Sequence, residues 1–220
     1  MIALIDYGAG NLTSVKKALR FVGADFAVPT APSQLAQATG VIVPGVGHFA
    51  ATAALEREWL EAIREAAQRG MPLLGICLGM QWLFEGSDEA PEVQGLGAMR
   101  GRITRLKGDA ERRLKIPHVG WNALDMSTGA AGPQGSTGPR LLRGIASGAQ
   151  VYFTHSFAAP VTDDCVASTN HSSTFAAVVE RDNYFGVQFH PEKSSDAGLQ
   201  MIRNFLAICG SPNRAPGQAC

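Results

Sequence analysis

Three short aliphatic runs are apolar at every position rather than at every second one: Ile2-Ala3-Leu4-Ile5, Val41-Ile42-Val43 and Leu73-Leu74-Gly75-Ile76. Each stops abruptly, at Asp6 with Gly8 and Gly10 behind it, at Pro44-Gly45, and at Cys77. A strand with one face in water alternates apolar and polar side chains, so an unbroken apolar run implies burial on both faces. Helical segments separate the runs. Asn11 is placed to cap a helix reaching about Val22, with Gly23 as its stop. A longer helix, from about Ala50 to Gln68, brings Leu55, Trp59, Ile63 and Ala67 onto one face and ends at Gly70. Another helix starts just after Cys77. This alternation predicts an α/β chain with a mostly parallel central sheet and helices on both of its faces.

The second half reads differently. Short strand-like segments around Met99–Leu106, Trp121–Asp125, Val151–Phe157, Cys165–Thr169, Ala177–Arg181 and Phe185–Phe189 predict antiparallel additions to the same sheet. A last helix, about Ser195 to Ile208, packs through Leu199, Ile202, Phe205 and Leu206. The Gly-, Ser-, Thr- and Pro-rich stretch 127–139 is expected to be a flexible loop, and 210–220 a disordered tail. One domain over residues 1–209 is the resulting expectation.

Composition supports a large core. Of the 220 residues 45% are hydrophobic and 17% charged, against about 25% charged in an average soluble domain. The 19 basic and 19 acidic residues cancel, which leaves no electrostatic footprint for nucleic acid or an anionic membrane. No apolar run approaches the roughly 18 residues of a membrane span, and Asp6 interrupts the opening run before it could act as a signal peptide. Cys77, Cys165, Cys209 and Cys220 are scattered without a C-x-x-C pair, so reduced thiols and a cytoplasmic location are expected.

Chemistry concentrates in three places. Gly75-Ile76-Cys77-Leu78-Gly79 has the G-x-nucleophile-x-G form of a strand-to-helix elbow, in which small neighbours permit a sharp turn that lifts the central side chain out of the sheet. The helix N-terminus behind it favours a thiolate. A buried structural cysteine is the plainer alternative. In Phe189-His190-Pro191-Glu192, an extended backbone would put Glu192 on the same side as His190, able to fix its tautomer. Taken alone, that pair would more often be an exposed couple; beside an elbow it completes a triad. Pro44-Gly45-Val46-Gly47 can turn backbone N–H groups towards a ligand and, with the Leu78 N–H, form an oxyanion hole.

Other features carry less. Asp6 to Asn11 begins like a dinucleotide loop but has Thr13 where the third glycine belongs. His48, His118, His155 and His171 lack metal-ligand spacing, so neither metal nor cofactor is expected; His48 and His155 adjoin the proposed site. Cys165 and Cys209 fall on apolar segments and read as core.

Together, P-G-V-G, G-I-C-L-G-M-Q and H-P-E-K-S resemble the class I, triad-type glutamine amidotransferases over roughly residues 1–208. D-Y-G-A-G-N, I-P-H-V-G-W-N and Y-F-T-H-S resemble one branch, whose members pass ammonia to a (β/α)8-barrel cyclase subunit in histidine biosynthesis. The resemblance implies Cys77 as nucleophile, His190 as general base and acid, and Glu192 as its orienting partner. It implies oxyanion contacts from Gly47 and Leu78, and glutamine contacts from Gln81, Glu89, Ser156 and Phe157. Asn11, Pro117, His118, Trp121 and Lys193 would meet the cyclase in a heterodimer that makes imidazole glycerol phosphate and AICAR. Phe157 departs from a common Tyr, and Thr13 from a commonly basic residue. Other branches, serving anthranilate, guanylate or pyridoxal phosphate synthesis, fit D-Y-G-A-G-N, I-P-H-V-G-W-N and Met80 before Gln81 less well. A non-catalytic subunit would be expected to lack a triad member, and nothing favours a cysteine peptidase.

Overall fold

The computed structural model describes residues 1–10, 12–55, 57–111, 113–126 and 138–210. Asn11, most of the expected loop 127–139, and the tail beyond residue 210 with Cys220 lie outside them.

The three apolar runs become β1 (Ile2–Leu4), β3 (Gly40–Gly45) and β4 (Leu73–Cys77), joined in parallel by β2 (Phe26–Ala27). The far half of the sheet is β11 (Cys165–Asn170), β12 (Thr174–Arg181) and β13 (Tyr184–Val187), giving the order β11-β12-β13-β4-β3-β1-β2. β13 runs parallel to β4, whereas β12 pairs antiparallel with both β13 and β11.

The unbroken runs do serve two cores. Ile2, Leu4, Ile42, Leu74 and Ile76 face α1 (Leu12–Phe21) and α4 (Ser195–Gly210), packing with Val15, Leu19, Ile202 and Phe205. The alternate residues Ala3, Ile5, Val41, Val43 and Leu73 face the other way, towards Ile63 of α2 (Arg57–Gln68) and Met80. Leu74, at 1% exposure, lies between Ile42 and Phe185 across the sheet. Leu74→Ala should therefore cost about 2–5 kcal/mol, the usual range for a buried leucine truncated with little collapse of the site. A urea titration followed by circular dichroism would measure it, and a loss below half a kcal/mol would contradict this packing.

Two expectations need correction. The first concerns the strands of the second half, of which only β11, β12 and β13 join the central sheet. β7 (Arg102–Arg105) and β10 (Phe157–Ala158) pair with each other, and β7 pairs with β5 (Gly86–Ser87) in a separate sheet of order β10-β7-β5-β6, closed by β6 (Ala90–Gln94). β8 (His118–Ala123) and β9 (Gln150–His155) form a two-stranded antiparallel ribbon. Alternation identifies a half-buried strand but not the edge it will pair with.

The second concerns the long helix, which breaks at Leu55 (ψ 74°) into a 3₁₀ turn, Phe49–Ala54, followed by α2. Its first residues answer to distant partners: the Phe49 N–H donates to Glu89 Oε2 at 2.8 Å, and the Phe49 ring packs with Leu78 and Ala90. The four-residue spacing still holds across the break, since Leu55, Trp59 and Ile63 share one core. Among the described residues, no helix is long and apolar enough to cross a membrane.

Candidate active site

β3, β4 and β13 are adjacent and parallel, so their carboxyl ends open at one place, where ligands of open α/β sheets commonly bind. Gly45 pairs with Cys77 and Val187 with Ile76, which brings the Gly45–Gly47 turn and Gln188 to either side of the elbow.

The elbow is built as its glycines suggest. A Cβ at Gly79 would run into the Val43 carbonyl, and one at Gly75 into the Gly79 carbonyl, so strand and helix can meet this closely only without side chains there. Cys77 itself takes φ 54° and ψ −106°, a conformation that L residues adopt only under constraint. It immediately precedes α3 (Leu78–Trp82), whose first N–H groups have no partner within the helix.

His190 Nδ1 and Glu192 Oε1 are 2.8 Å apart, with both side chains 2% exposed. The route differs from the one expected. His190 is extended (φ −100°, ψ 97°), but Glu192 belongs to a 3₁₀ turn, Pro191–Lys193, and the carboxylate reaches the ring because the chain folds back. The Ser194 hydroxyl clamps this turn by donating to the His190 carbonyl at 2.6 Å. Burial disfavours a charged His190. The Cys77 sulfur and the Glu192 carboxylate outweigh burial, and the imidazole is pushed up to about 10. The geometry thus favours an imidazolium at His190 beside the Cys77 sulfur. His190 Nε2 has no hydrogen-bond partner among the described residues and is left for a reacting group.

Over the sulfur lies a cavity of about 220 Å³. Its lining includes Gly47, Leu78, Gln81, Glu89, Ser156 and Phe157, all named from sequence, together with Pro117, Thr154 and His155. Gln81 is buried: its Nε2 donates to the Phe157 carbonyl (2.8 Å) and to Gln188 Oε1 (3.1 Å). Gly47, at φ 102°, holds a conformation suited to glycine. The Val46 N–H reaches back to the Ala9 carbonyl at 3.4 Å, so the Asp6–Gly10 segment supports this turn.

Sequence reasoning missed Gln188, whose Nε2 donates to Cys77 Sγ at 3.7 Å. Its position two residues before His190 was visible, but its place opposite Cys77 depends on the β13–β4 register. Tyr7 was missed as well; its buried hydroxyl lies against Gly45, and burial pushes the phenol well above its ordinary range.

The residues assigned to a partner face divide. Trp121 is 53% exposed and neighbours Val119 at 56%; Lys193 is exposed with Nζ 5.7 Å from the centre of the Tyr152 ring. Pro117 is exposed at the rim of the cavity. His118 is a correction: at 3% exposure it is enclosed by Phe153, His155, His171 and Phe175 and presents no surface. Of the other thiols, Cys165 is buried and pushed up to about 11, and burial pushes Cys209 up to about 12, which makes both poor nucleophiles. His48 is exposed and caps the 3₁₀ turn after it through Nδ1.

The family model for glutamine amidotransferase class-I matches residues 3–209. The chain is 46% identical over 208 residues to the imidazole glycerol phosphate synthase subunit HisH of Moorella thermoacetica, covering 93% of each. It is 44% identical over 209 residues to the protein of that name from Desulfitobacterium hafniense (93% of each), and 42% over 219 residues to that from Gloeobacter violaceus (97% of this chain and 92% of the relative). Among solved structures, a glutamine amidotransferase superposes with a TM-score of 0.71 at 18% identity, covering 96% of this chain and 99% of that one. A chain of the PurLQS structure from Thermotoga maritima gives 0.69 at 17% identity, over 94% and 97%. At that identity the structures speak for the fold alone.

Proposed function

We infer the reaction from one premise: the chain belongs to the class-I glutamine amidotransferase family. It hydrolyses glutamine to glutamate and ammonia, and it acts as the ammonia-supplying subunit of an imidazole glycerol phosphate synthase, in histidine biosynthesis. The observation that carries this reading is the convergence at one end of the sheet of Cys77, the His190–Glu192 pair and a cavity lined by Gln81 and Glu89.

In this reading the Cys77 thiolate attacks the carboxamide carbon of glutamine, forming a C–S bond and moving the carbonyl electrons onto oxygen. The Leu78 N–H and a backbone N–H of the Gly45–Gly47 turn stabilise that oxyanion. His190 donates its Nε2 proton to the departing nitrogen, ammonia leaves, and a thioester remains. The now neutral His190 takes a proton from water as it attacks the thioester, and glutamate departs with the thiolate restored. Glu192 keeps the proton of His190 Nδ1 in place throughout. Gln81, Glu89, Ser156 and the Phe157 backbone hold the amino-acid end of the substrate.

Ammonia released into bulk water would largely become ammonium, which is not a nucleophile. A (β/α)8-barrel cyclase subunit docking in a heterodimer over the exposed Val119, Trp121 and Lys193, beside Pro117 at the cavity rim, would receive it directly and yield imidazole glycerol phosphate and AICAR. A single domain over residues 1–209 is part of this proposal. The test is glutamate release by the purified chain alone, then with the cyclase subunit and its nucleotide. Turnover raised only by the liganded cyclase is the expected result. Turnover indifferent to the cyclase would move the chain to another branch of the family.

A further inference from the structure

We propose that Asn122, His118 and His155 are positioning residues of the glutamine pocket, joined in a one-way chain of hydrogen bonds that ends on the carbonyl gripped by Gln81. The proposal rests on the glutaminase reading of that pocket.

The direction of the chain is fixed independently from both ends. At one end His155 Nδ1 lies 2.9 Å from the Phe157 carbonyl, which can only accept, so the proton of His155 is on Nδ1. The other nitrogen of a neutral ring must then accept. His155 Nε2 is 3.1 Å from His118 Nδ1, so His118 also carries its proton on Nδ1, and its Nε2 accepts in turn. Asn122 Nδ2, 3.3 Å from His118 Nε2, is a donor.

At the opposite end the Asn122 amide is oriented without reference to any histidine. Its oxygen accepts the Ala123 N–H at 2.8 Å, and its nitrogen donates to the Asn170 carbonyl at 3.0 Å. The nitrogen therefore faces His118, which is the orientation the far end demands. Both rings are neutral, since burial lowers His118 to about 3 and His155 to about 4. Their titratable neighbours are His171, stacked on His118 at 4.1 Å, and His190. The walls are otherwise the Phe153 and Phe175 rings, and such an apolar setting strengthens the bonds and raises the cost of a missing one.

The Phe157 carbonyl is where this chain meets the site. It accepts from His155 and from Gln81, and Gln81 leads through Gln188 to Cys77 Sγ. Losing the His155 bond would release the strand that forms the substrate wall while leaving nucleophile and base in place.

Asn122→Asp tests the direction at nearly constant volume. A carboxylate only accepts, so His118 must turn its proton to Nε2, His155 must follow, and a lone pair then confronts the Phe157 carbonyl. With the cyclase present, KM for glutamine should rise about tenfold, the usual weight of one hydrogen bond, with kcat within twofold of wild type. Lower pH should partly restore KM, because an imidazolium at His118 can donate to both the introduced carboxylate and His155. In parallel, ¹⁵N spectra of the histidine-labelled full chain should show both rings neutral with the proton on Nδ1, the minor tautomer of a free histidine side chain. A proton on Nε2 of either ring, or an unchanged KM in Asn122→Asp, overturns the proposal. Wild-type chain that releases no glutamate with the cyclase would overturn the pocket reading and this one with it, and the spectra would show whether the chain of bonds itself exists.

Discussion

Cys77→Ala is expected to lower glutamate release by a factor on the order of 10⁴ or more, to background, as removal of a nucleophile does in enzymes whose triad acts as a unit. No second thiol among the described residues can take its place. Cys165 lies in the core and Cys209 is half-buried against it; burial pushes them up to about 11 and 12, and neither lines the cavity. Folding should be nearly unaffected, because alanine keeps the Cβ and the positive φ of the elbow, and the sulfur's bond from Gln188 is a long one. Glutamine should still bind, since Gln81, Glu89, Ser156 and Phe157 are untouched. Steady-state glutamate assays and calorimetric titration of the variant with glutamine measure the two effects separately. Turnover within tenfold of wild type would remove Cys77 from the mechanism.

Why could this site be foreseen when parts of its frame could not? The elbow at Cys77 was legible because its requirements are local: a turn this tight needs small residues at positions 75 and 79, and both are glycine. The parallel sheet was legible for a related reason, since strands buried on two faces cannot carry polar side chains on either. What escaped depends on contacts between distant segments. Gln188 touches Cys77 only through the β13–β4 register, and the break at Leu55 accompanies a bond that the Phe49 N–H donates to Glu89, 40 residues away in sequence. His118 was assigned to the partner face only because its I-P-H-V-G-W-N motif resembles the family's interface segment, and in the structure its neighbours Pro117, Val119 and Trp121 are indeed exposed. Strand alternation turns it inward, onto rings supplied by β9, β12 and His171. The approach of Glu192 to His190 was anticipated by a different route, because their two-residue separation suits both an extended segment and a turn.

Glu192→Gln is the second substitution with a large expected effect, and its signature is a displaced pH profile as well as a slower rate. In the wild-type chain the Cys77 sulfur and the Glu192 carboxylate together hold His190 up at about 10 against burial. The His190 imidazolium therefore persists through neutral pH, and because the proposed mechanism has it protonate the leaving nitrogen, the alkaline limb of kcat/KM is expected near 10. Glutamine in place of Glu192 keeps the volume but removes the charge and can present an N–H to Nδ1, which would disfavour the productive tautomer. A kcat lower by about 10²- to 10⁴-fold follows by analogy with triads whose acid is neutralised. The alkaline limb should also move to lower pH, since burial then meets less opposition. Stability carries the same sign. A folded-state value above the unfolded value of about 6.5 means that the folded chain binds the proton more tightly. Its contribution is complete below about pH 6.5 and is lost as pH climbs towards 10. Urea midpoints of wild type should fall across that window from this source, and those of Glu192→Gln should fall less. Rate profiles and urea midpoints thus read one group through two independent equilibria. If both stay where they are in the wild type, His190 does not owe its proton to Glu192, and the carboxylate is only a packing neighbour.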